Sequence, residues 1–220
     1  MIDTQIRCAR TRHDGRYQRA RGPKPPTSVL PPALAGPLDR IVCVAAEANA
    51  WPAGTSSPAA GTHELVQWVA HRAGTDEGLD VVAEPRVPLA PGTLAHSGLT
   101  RADLAGARSL EELMAAWGAF LRPGDVVCAW GAYPASVFRA AGGALPGVPH
   151  DLRRLVRSHA APPFGGIETW LDRLGATPSP PRARGRAGRR LAQTAALLDA
   201  LRDDDAGAWR TYGVSADLHG

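Results

Sequence analysis

The hydrophobic positions of this chain follow two rhythms. Ile41-Val42-Cys43-Val44-Ala45-Ala46 is a continuous apolar run, the mark of a strand buried on both faces. It predicts a first strand at about 41–47. His63 to Ala70 reads as a second strand and Leu79 to Val87 as a third, with a hairpin turn over Gly74 to Gly78 and a loop of small residues from Pro52 to Gly61. Leu99 to Leu104 opens a short helix with Thr100 as its N-cap. Ser109-Leu110-Glu111-Glu112 is a capping box. The helix it starts carries Leu110, Leu113, Met114, Trp117, Phe120 and Leu121 at helical spacing. Pro123-Gly124 ends that helix, and Val126 to Trp130 is a fourth strand. Helices are predicted at Pro134 to Ala141, Asp151 to Ser158 (Asp151 as N-cap), Gly166 to Leu174 and Ala187 to Leu201. The order predicts an α/β domain over 39–203, with a mixed sheet flanked by helices and the first strand in its middle. No internal repeat is visible.

Composition narrows the class. The 220 residues are 44% hydrophobic, enough for one core with extensions. No run of 18 apolar residues predicts a membrane helix, and the N-terminus has no apolar signal core, so a cytoplasmic protein is expected. Residues 1–38 are rich in Arg and Pro and lack hydrophobic period; they are expected to form a basic tail without regular structure, with a second tail at 204–220. Abundant Ala, Gly, Pro and Arg, with Lys24 the one lysine, resemble the output of a GC-rich bacterial genome. The cysteines, Cys8, Cys43 and Cys128, have no metal-ligand spacing, and two of them fall in strands, as buried thiols do. His63-Glu64 lacks the second histidine of a zinc helix.

The net charge of +4 is unevenly spread. Arg7, Arg10, Arg12, Arg16, Arg19, Arg21 and Lys24 crowd the N-terminus, and Arg182, Arg184, Arg186, Arg189 and Arg190 follow one another with no acid between. Both runs are candidate phosphate-holding surfaces.

Several stretches, in order, resemble the DEDD superfamily of 3′→5′ exonucleases. Ile41 to Trp51 resembles its first strand, which carries Asp-x-Glu and, in one branch, a following Trp. Thr93 to Leu104 is similar to the segment before its next helix. Val126-Val127-Cys128-Ala129-Trp130-Gly131-Ala132-Tyr133-Pro134 is similar to the strand and turn that present its second Asp, and Gly185 to Leu201 to its final helix. The resemblance implies a ribonuclease H-like fold. In that superfamily four acids hold two divalent cations beside a general base. By the same resemblance the first Asp is Ala45, the Glu is retained as Glu47, the second Asp is Pro134, the His is Gly185 and the last Asp is Arg190. A register slip does not restore the last motif, because no Asp, Glu or His lies between Asp172 and Asp199.

These substitutions predict no metal, no cofactor and no ordinary nuclease activity. They also predict that Arg190 or Arg189 turns toward Glu47 and balances its charge. Glu47, Trp51, Trp130, Tyr133, Arg186, Arg189 and Arg190 are the candidate ligand-binding residues, the aromatic ones as stacking platforms. Three functions stay open. One is a catalytically inactive binding or scaffolding module, with a protein partner or small-molecule ligand. The second is a metal-free enzyme of bacterial specialised metabolism. The third is a non-cleaving nucleic-acid binder that uses the Arg-rich segments.

Overall fold

A computed structural model describes residues 30–57, 60–159 and 165–203. Its elements run in the expected order. A short helix α1 (Pro32–Ala35) and a 3₁₀ turn lead into β1 (Ile41–Ala50), β2 (His63–Arg72) and β3 (Gly78–Val82). Then come α2 (Thr93–Ser97), α3 (Arg101–Ala105), α4 (Leu110–Phe120), β4 (Val126–Ala129) and α5 (Tyr133–Ala140). The chain continues through β5 (His150–Asp151), α6 (Leu152–His159), α7 (Ile167–Leu174) and α8 (Gly185–Asp203).

The five strands form one mixed sheet in the order β3-β2-β1-β4-β5, with β1 in the middle. β1 is antiparallel to β2 and parallel to β4. Because side chains alternate across a strand, the apolar run of β1 supplies two cores. Cys43 and Ala45 face a cluster built with Val69, Leu152, Trp170, Ala187, Leu191 and Leu198. Val42, Val44 and Ala46 face the other, built on Trp68, Leu113, Trp117 and Phe138. Trp68 stacks on Phe138 at 4.1 Å between ring centroids and meets Trp117 edge-on at 5.3 Å. The Ser109–Glu112 capping box is in place, and the Thr100 cap proves to be a capping box as well, with Asp103. Cys43 and Cys128 are buried free thiols on neighbouring strands.

The structure departs from the sequence-based expectation in three respects. β3 stops at Val82, where a strand was expected to Val87. Ala83 bridges Arg108, and the amides of Arg86 and Val87 turn to the Glu64 carboxylate. Pro85 and Pro88, which have no N–H, cannot extend a ladder. The short helix α2 and the two-residue β5 are absent from the sequence reading, since neither is long enough to show a period. Asp151 does cap α6, accepting from the Arg154 amide, but the same oxygen also holds the Gly131 amide. Finally, part of the stretch expected as a tail packs onto the domain: α1 lies within it, and Leu30 and Leu34 are buried in the first cluster. The Arg-rich residues 1–24, Cys8 and the segment 204–220 lie outside the described residues. Among the described residues no helix is long and apolar enough to cross a membrane.

Candidate functional site

The site lies where the carboxyl end of β1 meets the first turn of α8. A register shift between Glu47 and Ala48 breaks the β1–β2 ladder at this point. Such a bulge re-aims the side chains beside it. The carboxylate of Glu47 is 6% exposed as a residue, although it is charged in water. Its ordinary range is well below neutrality, but here it is pushed up to about 7. Burial is the main cause. Arg186, Arg190 and Arg189 all pull the other way, and desolvation outweighs the three together.

Gly185 sets the entry of α8. It has a left-handed φ of +67°, and a Cβ there would lie 2.6 Å from the carbonyl oxygen of Ser97. Gly98, with φ +70°, would in turn bring a Cβ to 3.3 Å from the Cα of Gly185. The two glycines let the end of α2 and the start of α8 touch backbone to backbone. That crossing carries the next residue, Arg186, over the cleft. Its guanidinium lies 3.7 Å from Glu47 Oε2 and also contacts His96 Nε2. A guanidinium only donates, so in this contact His96 Nε2 is the acceptor.

Tyr133 closes the other side. It is 45% exposed at the start of α5, and its hydroxyl lies 3.2 Å from His63 Nδ1, the rings meeting at 72°. Burial and then the charge of Glu47 push its phenol up, against Arg186. Glu47, Arg186, His96, Tyr133 and His63 thus converge from β1, α8, α2, α5 and β2.

The structure corrects the expected ion pair. Arg186, not Arg190 or Arg189, makes the contact to Glu47. Arg190 pairs instead with Glu168 of α7 at 3.9 Å, and Arg189 is exposed. The reason is the rise of the helix: Arg190 sits one turn, about 6 Å, farther along the axis. There it lies beside α7 rather than beside β1. Trp51 gives its indole N–H to the Pro88 carbonyl at 2.9 Å and so ties two loops together. Trp130 packs against the first core cluster. Of the three aromatic candidates, Tyr133 is the one brought to Glu47. Nothing in the sequence pattern marks His63 and His96 as members of this site: His63 stands beside Glu64 without a second histidine at helical spacing, and the short helix that presents His96 has no readable period.

The donor set does not fit two divalent cations. Ala45 is 1% exposed inside an apolar cluster, and Pro134 is buried in the first turn of α5. Gly185 has no side chain and no room for one. A pair of hard dications needs several carboxylates; here one carboxylate faces a guanidinium. Among the described residues no group of three or more His, Cys, Asp or Glu side chains is placed to hold a metal ion.

No protein-family model and no curated protein matches the chain. Solved structures do. Exonuclease X in complex with 5′ overhanging duplex DNA is similar at a TM-score of 0.53 and 13% identity, over 74% of this chain and 92% of that one. The nuclease domain of 3′hExo, a DEDDh family member bound to rAMP, gives 0.55 and 14%, over 80% and 92%. Pop2p of S. pombe, in a Mg2+- and Mn2+-bound form, gives 0.52 and 13%, over 75% and 83%. The mixed five-stranded sheet with its flanking helices is therefore the ribonuclease H-like fold of the exonucleases.

Proposed function

We propose that the chain is a non-cleaving binding module built on the exonuclease fold, and that its altered cleft holds an anionic, phosphate-bearing ligand. One observation carries this reading. The cleft keeps a single carboxylate, Glu47, and sets the guanidinium of Arg186 against it, with Arg189 and Arg190 close enough to pull on its proton. Ala45, Pro134, Gly185 and Arg190 are read as standing where the superfamily keeps three acids and its base. A site of that charge attracts phosphate where its relatives hold cations. The neighbours' complexes, one with DNA and one with rAMP, make a nucleic-acid end or a nucleotide the first ligand to try.

The test has two arms. Labelled single-stranded DNA and RNA, incubated with Mg2+ or Mn2+, should stay intact. The same oligonucleotides should bind in EDTA, more weakly as salt rises, and Arg186→Ala should weaken binding. Cleavage that disappears in Glu47→Gln would overturn the reading. Tight binding indifferent to Arg186 and Arg190 would move the ligand elsewhere on the molecule.

A second reading has its own support. Glu47 at about 7, beside Tyr133 and two histidines, is poised for acid–base work without a metal. Turnover of a phosphorylated or carboxylated metabolite in EDTA, lost in Glu47→Gln, would favour that enzyme over the binding module.

A further inference from the structure

A second concave region lies away from this cleft. It is a cavity of about 820 Å3 running along α8, walled by the end of α7 and the segment 175–182, with His71 of β2 at one end. Its volume falls in the range of small-molecule sites, roughly 300–1,000 Å3. None of its described lining residues belongs to the Glu47 cleft.

The chemistry of the lining is graded. Its middle is apolar, with Leu191, Ala192, Ala195 and Ala196 presented by successive turns of α8. Its far end is a set of acceptors. His71 Nδ1 lies 3.1 Å from the carbonyl oxygen of Glu77 and must donate to it, which leaves Nε2 as a lone-pair acceptor. Burial holds the His71 ring below its usual range, so it stays neutral. Asp199 and Asp203, four residues apart on one face of α8, join it there. Among the described residues neither carboxylate has a hydrogen bond or an ion pair. Both carboxylates are exposed at the surface; partial desolvation, and then Asp203, push Asp199 up against the pull of Arg202 and His71. The two arginines of the lining are engaged elsewhere: Arg182 bridges Asp76 at 2.7 Å, and Arg173 lies over the Trp170 ring at 4.9 Å.

We infer that this cavity is a binding site for an organic amine, whose ammonium sits among Asp199, Asp203 and His71 Nε2 and whose apolar body lies along the alanine face of α8. A cation there relieves the like-charge repulsion of the two carboxylates and gives the imidazole acceptor a donor. An anion meets two carboxylates, and an uncharged isostere leaves the acceptors as they are.

The test uses the full chain and three probes of one shape: phenylbutylamine, phenylbutanol and phenylbutyrate, titrated by calorimetry at neutral pH. The amine should bind, the alcohol more weakly by about tenfold or more, and the acid not at all. Asp199→Asn should weaken the amine and leave the alcohol unchanged, with folding checked by circular dichroism. Arg186→Ala should leave the amine untouched, so this outcome is independent of the reading of the Glu47 cleft. Equal binding of amine and alcohol, or an amine indifferent to Asp199→Asn, would overturn the assignment, as would failure of all three probes to bind.

Discussion

At the scale of single residues, two positions define the cleft. Glu47 is a carboxylate raised from 4.5 to about 7 in the folded chain. Between those values the folded state binds a proton that the unfolded state has lost. Its contribution to stability is therefore fully present below about pH 4.5, falls as pH rises, and is gone above about 7. Glu47→Gln should stabilise the fold at pH 8 by on the order of 1–3 kcal/mol, seen as a higher melting temperature, and change it little at pH 4.5. Thermal melts at both values measure this; a lower melting temperature at pH 8 would mean the Arg186 pair outweighs burial. Gly185 is the second position. Gly185→Ala forces a side chain into a left-handed conformation and against the Ser97 carbonyl, and should cost about 1–3 kcal/mol in chemical denaturation. Sequence alone shows that a glycine stands there. It gives no sign that the backbone of α2 fills the space a side chain would need.

At the scale of elements, one buried side chain of β2 ties four neighbouring segments together. Arg72, at the end of β2, is fully buried. It gives hydrogen bonds to Asp125 Oδ1 at 2.8 Å, to the Phe120 carbonyl at the end of α4 at 2.8 Å, to the Asp39 carbonyl at 3.0 Å and to Glu77 Oε2 at 2.9 Å. Asp125 is equally enclosed and also holds the Arg122 amide. Arg72→Leu leaves that carboxylate buried without its partner and should cost about 3–5 kcal/mol in urea denaturation. Adding Asp125→Leu should recover part of the loss, because the uncompensated charge goes with it. The hydrophobic period places β2 and α4 separately. Their joining through a charged residue does not follow from the pattern, since arginine is read as a surface residue by default.

At the scale of the whole molecule, α8 links the two concave regions. Arg186 lies near its start and Asp199 near its end, about 20 Å apart along the helix axis. Neither touches a partner of the other. The stability changes of Arg186→Ala and Asp199→Asn should then add within about 0.5 kcal/mol in the double variant. A larger coupling, read from denaturation of the two single variants and the double, would mean that the ends of α8 communicate.

Four of the five strands, the place of β1 at the centre of the sheet, the capped helices and the resemblance to the exonucleases were legible in the sequence alone. Those features are written locally, in period-2 and period-3.6 patterns and in short motifs of neighbouring residues. The sequence also picked out Glu47 and the Arg run, because the charge types are visible residue by residue. Which arginine meets Glu47 was decided only in three dimensions. Helical rise carries Arg190 on to Glu168, and the glycine crossing at Ser97 and Gly98 brings Arg186 forward instead. His63 and His96 joined the cleft for the same reason, from elements distant in the chain. The cavity beside His71 and Asp199 likewise depends on how α7, α8 and β2 pack. A pattern along one dimension records which face of an element is buried; it does not record which neighbour that face meets.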